Sequence, residues 1–137
     1  DHAPIGGGPL VRVGDRVSVF DPELTDSIAG VAEKIAADHP AFVWQRKLMD
    51  GGACEATAFT AYGYRAACVC VPLGNYHNMD EARQRIDRES IAISDWLGMV
   101  RLLAALPSRS GVSGVDALSI RRRLAERFAI QRNVLDD

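Results

Sequence analysis

The sequence predicts an α/β fold in which a mostly parallel central sheet is flanked by helices. Apolar runs of strand length alternate with amphipathic runs of helical length, and no internal repeat interrupts this order. The run from Ala66 to Val71 contains almost no polar residue, which is typical of a central strand covered on both faces. The 137 residues are enough for one domain with a hydrophobic core.

The first half of the chain predicts a hairpin followed by a helix. Residues 10–13 and 16–20 are rich in β-branched residues and are separated by a Gly-Asp turn, which favours two paired strands. Asp21 can cap the first free N–H groups of a helix, and Pro22 suits the first helical position. Apolar residues then recur at helical spacing until His39, which precedes a proline and ends the helix.

The second half predicts two further strands and two further helices in addition to the Ala66 to Val71 strand. Residues 41–48 are expected to form a strand and residues 54–62 a short helix. Residues 90–93 are expected to form a short strand, after which Ser94 caps a helix over residues 95–106. The buried side of that helix is predicted to consist of Trp96, Leu97, Val100 and Leu103 to Leu106.

Three regions follow from this order: an α/β region at residues 1–106, a linker at 107–114 and a C-terminal helix of unknown role at 115–137. The last helix carries five arginines, which could bind phosphate groups. Its glutamate and the near-neutral chain, with 16 basic and 18 acidic residues, favour a solvated face instead. We therefore expect no nucleic-acid partner.

No membrane partner is expected either, because no run approaches the roughly 18 to 20 apolar residues of a membrane span. The chain does not open with a signal peptide, which favours a cytoplasmic protein whose three cysteines are reduced. It begins with Asp1 rather than Met, which indicates a fragment or a processed chain.

The most informative pattern is a glycine turn, Gly51-Gly52, that precedes a helix and a strand, with His77 on the loop that leaves the strand. Open α/β sheets bind ligands outside the carboxyl ends of their strands. This order therefore predicts an active site that includes His77.

Four motifs occur in the same order in a known family: Gly6 to Pro9, Phe20 to Thr25, the Gly51-Gly52 turn with Glu55, and Tyr76-His77. Together they resemble the C-terminal part of the co-catalytic zinc aminopeptidases, and most closely the glutamyl or deblocking aminopeptidases that build tetrahedral shells. The resemblance covers residues 1 to about 106.

The resemblance implies a zinc-exopeptidase-like fold and an incomplete catalytic domain. Two divalent ions (zinc, cobalt or manganese) would activate a water that hydrolyses N-terminal peptide or related amide bonds. His77 would be one metal ligand, and Gly52 and Glu55 would belong to the peptide substrate pocket. The other ligands and the catalytic glutamate would lie upstream of Asp1, so no catalytic residue is assigned in this chain. The isolated chain would be inactive, and its partners would be further copies or the missing N-terminal portion.

The chain departs from the family pattern at two places. The family commonly has Gly-Gly-Thr-Asp-Ala at the turn, whereas this chain has Gly-Gly-Ala-Cys-Glu-Ala. Tyr76-His77-Asn78-Met79 replaces the commoner Tyr-Ile-His-Ser-Pro. At the turn, a hydroxyl and a carboxylate of the family pattern are exchanged for other groups, or the register is shifted by one residue. In the loop, the replacement keeps the histidine but shortens the segment that leads to it.

Two rival interpretations remain open. The same fold could serve as a non-catalytic binding or assembly module, or Cys54 could pair with His77 in a thiol hydrolase, because a helix N-terminus lowers the pKa of a thiol. A zinc site formed by Cys68, Cys70 and His77 is less favoured, because the two cysteines lie in an apolar strand and the spacing matches no common structural site. His2 and His39 are interpreted as surface residues.

Overall fold

The computed structural model describes residues 3–106 together with Ala125, Glu126 and Phe128. The predicted linker and almost all of the predicted C-terminal helix lie outside these described residues. None of the described helices is long and apolar enough to cross a membrane. The helices and strands, in chain order, are β1 (Leu10–Arg12), α1 (Pro22–Asp38), β2 (Gln45–Lys47), α2 (Glu55–Ala61), β3 (Cys68–Cys70), β4 (Met79–Asp80), β5 (Arg85–Ile86) and α3 (Ile93–Ala105).

The α/β class is confirmed, but the prediction of a mostly parallel sheet is wrong for the described residues. The main sheet has the order β2-β1-β3, in which β1 is parallel to β2 and antiparallel to β3. The long helix α1 provides the crossover that a parallel neighbour requires. The backbone N–H of Asp21 donates to the carbonyl of Ala66 at 2.9 Å. The start of β3 therefore lies near the carboxyl end of β1, as the antiparallel register of the two strands requires.

The central strand of this described sheet is β1 rather than the Ala66 to Val71 run. Leu10 and Val11 are fully buried, whereas all three residues of β3 are half-buried at an outer position. The apolar residues of that run predict a strand covered on both faces. In the described sheet, however, β3 pairs only with β1 and its residues are half-buried.

The hydrophobic core lies on one face of the sheet. Val11 packs there with Val31 and Ala32 of α1, with Phe42 and with Leu102 of α3. Because successive side chains of a strand point to opposite faces, Arg12 and its register partners lie on the other face. Those partners are Lys47 and Cys68.

The start of α1 is confirmed. Asp21 accepts a hydrogen bond of 2.8 Å from the backbone N–H of Leu24, and Pro22 is the first helical residue. Arg65 also donates two hydrogen bonds to this carboxylate, at 2.6 and 3.0 Å, and lowers the pKa of Asp21 to about 2. The hairpin predicted before α1 is reduced to a single antiparallel bridge between Gly14 and Val19.

The prediction for α3 is wrong in three respects. Residues 90–93 form no strand, and Ser90 makes only an isolated bridge to Gly74. Ala92 rather than Ser94 occupies the N-cap, without a side-chain hydrogen bond. The side chains predicted to be buried are 44 to 55% exposed at Trp96, Leu97, Val100 and Leu103.

The helix face that does pack is set by a small residue. A Cβ on Gly98 would lie 2.9 Å from the Cδ of Pro9, so this glycine permits the close approach of α3 to the segment before β1. Asp95 and Leu102, one turn away on either side, are both fully buried. Close packing at Gly98 therefore selects a face that the apolar pattern alone does not indicate.

Candidate active site

A cleft of about 140 Å³ lies between the turn after β2 and the loop after β3. It is lined by Arg12 and Lys47, which share the sheet face opposite the core. The remaining lining residues are Ala3, Leu48, Met49, Asp50, Gly51, Val71, Pro72, Leu73 and Tyr76.

The two segments that the sequence singles out meet at this cleft. A Cβ on Gly52 would lie 4.0 Å from the hydroxyl of Tyr76, and both Gly51 and Tyr76 line the cavity. Gly52, Glu55 and His77 are not themselves among the lining residues. Glu55 is exposed at the first residue of α2, and the structure does not bring it into the cleft.

The loop that carries His77 has an unusual backbone. Asn75, His77 and Asn78 have φ angles of 53°, 58° and 59°, in the left-handed region that residues with a Cβ seldom adopt. The exposed imidazole stacks on the Tyr76 ring with 4.1 Å between centroids. Such backbone strain persists only where surrounding contacts impose it, and it is concentrated at functional sites.

Residues 88–90 impose this conformation. The backbone N–H of His77 donates a 2.7 Å hydrogen bond to the carboxylate of Glu89, and the side-chain amide of Asn75 donates to the carbonyl of Arg88 at 3.0 Å. Gly74 and Ser90 exchange two backbone hydrogen bonds of 2.8 and 3.1 Å. Glu89 was not predicted as a site residue, because no motif or spacing in the sequence relates it to His77.

A second carboxylate, Asp15, organises the opposite wall of the cleft. It accepts hydrogen bonds from the backbone N–H of Cys54 at 2.9 Å and from the hydroxyl of Thr57. Thr57 is the main reason that the pKa of Asp15 lies well below its usual value. The backbone N–H of Arg16 donates to the carbonyl of Gly52 at 3.0 Å. The turn after β1 therefore holds the Gly51-Gly52 turn in place, a contact that no sequence pattern predicted.

The structure offers no support for pairing Cys54 with His77. Within the described residues no contact joins the two side chains. The imidazole of His77 stacks on the Tyr76 ring instead.

A metal centre is not complete within the described part of the chain. No three His, Cys, Asp or Glu side chains there are grouped so that they could hold a metal ion, which excludes the zinc site of Cys68, Cys70 and His77. The exposed His77 imidazole has the donor chemistry that zinc, cobalt or manganese accepts. It fits the role of a single ligand in a larger site. His39 lies exposed at the C-cap of α1, as expected, and His2 lies outside the described residues.

Comparison with solved structures shows the fold of this chain. PhTET1-12s, a dodecamer, is 23% identical, with a TM-score of 0.57 over 77% of this chain and 28% of that one. The TET1 peptidase of Pyrococcus horikoshii is 23% identical, with a TM-score of 0.58 over 76% of this chain and 27% of that one. The TET aminopeptidase of the marine sediment archaeon Thaumarchaeota archaeon SCGC AB-539-E09 is 17% identical, with a TM-score of 0.56 over 79% of this chain and 27% of that one.

The chain thus spans less than a third of the length of these three structures. No curated protein matches it. A model of the M42 glutamyl aminopeptidases matches residues 1–92, which is about two thirds of the chain and includes the Gly51-Gly52 turn and the His77 loop. This match confirms the resemblance drawn from the sequence motifs: the chain belongs to the M42 glutamyl aminopeptidase family.

Proposed function

We propose that this chain is the C-terminal catalytic portion of a metal-dependent aminopeptidase, in which it supplies His77 as one metal ligand and one side of the peptide-binding cleft. The observation that carries the proposal is the strained loop around His77. Three residues with positive φ within four positions cost conformational free energy that an ordinary surface loop need not bear. The family of residues 1–92 supports a peptidase role for this loop.

The residues fit a metal-dependent site without completing it. His77 would hold one of two divalent ions, and the other ligands and the general base would come from the rest of the intact enzyme. When bound, two such ions lower the pKa of a water and polarise the scissile carbonyl. Zinc, cobalt and manganese all suit an imidazole ligand.

The residues of this chain would position the imidazole and the substrate. Glu89 accepts a hydrogen bond from the backbone N–H of His77 and holds the main chain there, while stacking on Tyr76 orients the imidazole. Asp15 holds the start of α2, and with it the Gly51-Gly52 turn, beside Tyr76. Holding reacting groups in a fixed geometry removes part of the entropic barrier to reaction.

Neither Gly52 nor Glu55 lines the cleft, and we propose that both border the substrate pocket with distinct roles. Gly52 has no side chain and lies close to Tyr76, so that a peptide backbone can pass along the turn. Glu55 is exposed three residues further on, where its carboxylate can contact a basic group of a substrate at the edge of the cleft.

We further propose that the intact enzyme is a homo-oligomer. The support is that one structurally similar protein is a dodecamer and another can assemble into a tetrahedron or a large octahedral shell. Light scattering coupled to size exclusion of the full-length enzyme measures this directly. A monomer at micromolar concentration would contradict the oligomer without affecting the assignment of His77.

The central test uses the full-length enzyme that contains this chain. Chelation should abolish hydrolysis of aminoacyl chromogenic substrates, and zinc, cobalt or manganese should restore it. His77→Ala should lose most of the activity and should lower the bound metal measured by mass spectrometry, with an unchanged circular dichroism spectrum. His39→Ala is the matched control, because this histidine is also exposed and should leave both values unchanged.

Each contrary result selects a rival. Full metal occupancy and normal hydrolysis in His77→Ala would overturn the ligand assignment. An enzyme that neither binds metal nor turns over substrate would be a binding or assembly module. Inactivation by alkylation, with no response to chelators, would favour the Cys54 and His77 thiol hydrolase. The isolated chain is expected to be inactive in the same assay.

A further inference from the structure

The side chain of Tyr76 lies between the two walls of the cleft. Its ring stacks on the His77 imidazole, with 4.1 Å between the ring centroids and 21° between the ring planes. Its hydroxyl lies near the opposite wall, where a Cβ on Gly52 would be 4.0 Å away. Tyr76 is 37% exposed and lines the cleft. A ligand in the cleft can therefore contact the phenol.

The main chain is held on both sides of Tyr76. Before it, Gly74 and Ser90 exchange backbone hydrogen bonds of 2.8 and 3.1 Å. After it, the backbone N–H of His77 donates to the carboxylate of Glu89 at 2.7 Å. These bonds, together with the stacked imidazole, limit the positions that the phenol ring can adopt.

The wall near the hydroxyl is also held by hydrogen bonds. The carbonyl of Gly52 accepts a 3.0 Å hydrogen bond from the backbone N–H of Arg16. Asp15 accepts one of 2.9 Å from the backbone N–H of Cys54. Because both walls are fixed by bonds to other elements, the place of the hydroxyl is set before a ligand binds. A donor that is fixed in advance needs little reorganisation when negative charge develops beside it.

Three further polar side chains line the described cleft: Arg12, Lys47 and Asp50. Arg12 donates to the carbonyl of Leu48 at 3.0 Å and, with its register partner Lys47, belongs to the sheet at the base of the cleft. An ionised carboxylate such as Asp50 can only accept hydrogen bonds. Tyr76 differs from all three, because it is the lining side chain that combines a hydrogen-bond donor with contact to the proposed metal ligand.

We propose that the Tyr76 hydroxyl donates a hydrogen bond to the carbonyl oxygen of the peptide bond that is cleaved. The inference rests on the proposed function, because the scissile carbonyl is placed at the end of the cleft where His77 holds a metal ion. As water adds to the carbonyl carbon, the electron pair of the C=O bond moves onto this oxygen, which becomes negative. The hydrogen bond then strengthens, so it favours the transition state over the bound substrate. The hydroxyl keeps its proton throughout.

The ring and the hydroxyl of Tyr76 have separate roles. The ring orients the imidazole of His77 by stacking on it, whereas the hydroxyl contacts the substrate. Tyr76→Phe removes the hydroxyl and keeps the stacked ring. Tyr76→Leu removes both groups. The two variants therefore separate a contact with the substrate from support of the metal ligand.

The test uses the full-length enzyme and an aminoacyl chromogenic substrate. Tyr76→Phe should lower kcat by about 100-fold, while KM changes by less than about 3-fold. The bound metal measured by mass spectrometry and the circular dichroism spectrum should not change. Inhibition by an aminoalkylphosphonate, whose phosphoryl group resembles the tetrahedral intermediate, should weaken by about the same factor as kcat/KM. Tyr76→Leu should in addition lose bound metal.

Tyr62→Phe is the matched control, because Tyr62 lies at the C-cap of α2, is 84% exposed and does not line the cleft. It should leave kcat, KM and bound metal unchanged. In an active enzyme, an unchanged kcat in Tyr76→Phe would overturn the contact, and so would a raised KM alone, which indicates a contact equally strong in both states. Loss of bound metal in Tyr76→Phe would assign the hydroxyl to the metal site instead. In each of these cases the peptidase proposal stands, whereas a metal-loaded wild type without activity would overturn both.

Discussion

The carboxylate of Asp95 accepts a 2.9 Å hydrogen bond from the backbone N–H of Gly8, which lies 87 residues earlier in the chain. Its other oxygen accepts from Gly6 at 2.8 Å. Asp95 is fully buried in the first turn of α3. The glycine-rich segment before β1, which is one of the family motifs, is therefore held in place by a single acidic side chain of the last described long helix.

Asp95→Ala should destabilise the chain strongly, because it leaves two N–H groups without their acceptors. A buried donor that loses its partner costs about 1 to 3 kcal/mol. We expect the free energy of unfolding in urea to fall by roughly 3 kcal/mol. Asp38→Ala removes an exposed carboxylate and should change it by less than about 0.5 kcal/mol. Equal stability of the two variants would show that Asp95 does not anchor the segment.

Gly8→Ala and Gly6→Ala separate backbone strain from steric conflict. Both glycines have a φ of 82°, but a Cβ on Gly8 would lie 1.9 Å from the carbonyl oxygen of Val43, whereas a Cβ on Gly6 has nothing within 4 Å. Gly6→Ala should cost about 1 kcal/mol from its backbone conformation alone. Gly8→Ala should cost about 3 kcal/mol more or prevent folding. Similar thermal midpoints for the two variants would contradict the tight approach at Val43.

Leu102→Ala and Leu103→Ala test which face of α3 is buried. Leu102 is fully buried in the core, whereas Leu103 is 45% exposed. Leu102→Ala should lower the free energy of unfolding by about 3 kcal/mol, and Leu103→Ala by less than about 1 kcal/mol. If Leu103→Ala were the more destabilising variant in a urea titration, the face predicted from the apolar pattern would be the buried one.

Local signals predicted the starts of α1 and α2, because these signals act within a few residues. Asp21 and Pro22 mark the start of α1, and the helix begins at the predicted proline. Residues 54–62 were predicted to form a short helix, and α2 spans Glu55–Ala61. Strand order and strand direction depend on contacts between distant residues, such as Asp21 with Ala66, so the antiparallel entry of β3 could not be read from apolar runs.

The candidate site also contains parts that could be predicted from the sequence and parts that could not. The sequence placed the Gly51-Gly52 turn and the Tyr76-His77 loop in one site, and the structure brings these segments together. Asp15 and Glu89 were not predicted as site residues. Each accepts a hydrogen bond from the backbone N–H of a distant residue, and no residue pattern indicates such a contact. The hairpin of β4 and β5 was also missed, since two-residue strands leave little periodic signal.

Thr57→Val should make the stability of the fold less dependent on pH in the acid range. The Thr57 hydroxyl is the main group that lowers the pKa of Asp15 below its unfolded value of 3.8. A lowered pKa means that Asp15 stabilises the fold above pH 3.8 and that this contribution is lost as the pH falls below that value. In Thr57→Val the pKa of Asp15, followed by carboxyl ¹³C NMR, should move up towards 3.8.

The control for this change lies on the same helix. The Thr60 hydroxyl donates to the carbonyl of Ala56 rather than to a carboxylate, so Thr60→Val should leave the titration of Asp15 unchanged. The loss of stability on acidification should be steeper in the wild type than in Thr57→Val. A pKa of Asp15 that is the same in all three proteins would show that Thr57 does not hold this carboxylate.

Glu89→Ala in the full-length enzyme should weaken metal binding even though Glu89 is not proposed as a ligand. Its carboxylate holds the backbone N–H of His77 at 2.7 Å, at a residue whose φ of 58° needs external support. Groups that orient a metal ligand typically contribute 10-fold to 100-fold in affinity. We expect a loss of about 10-fold in Glu89→Ala, measured by competition with a chelator.

Glu89→Gln keeps an oxygen acceptor and should retain most of the affinity, while Glu81→Ala, at another exposed acid, should have no effect. If Glu89→Ala binds metal like the wild type while His77→Ala does not, the loop keeps its conformation without the carboxylate, and the support must come from the bonds between Gly74 and Ser90.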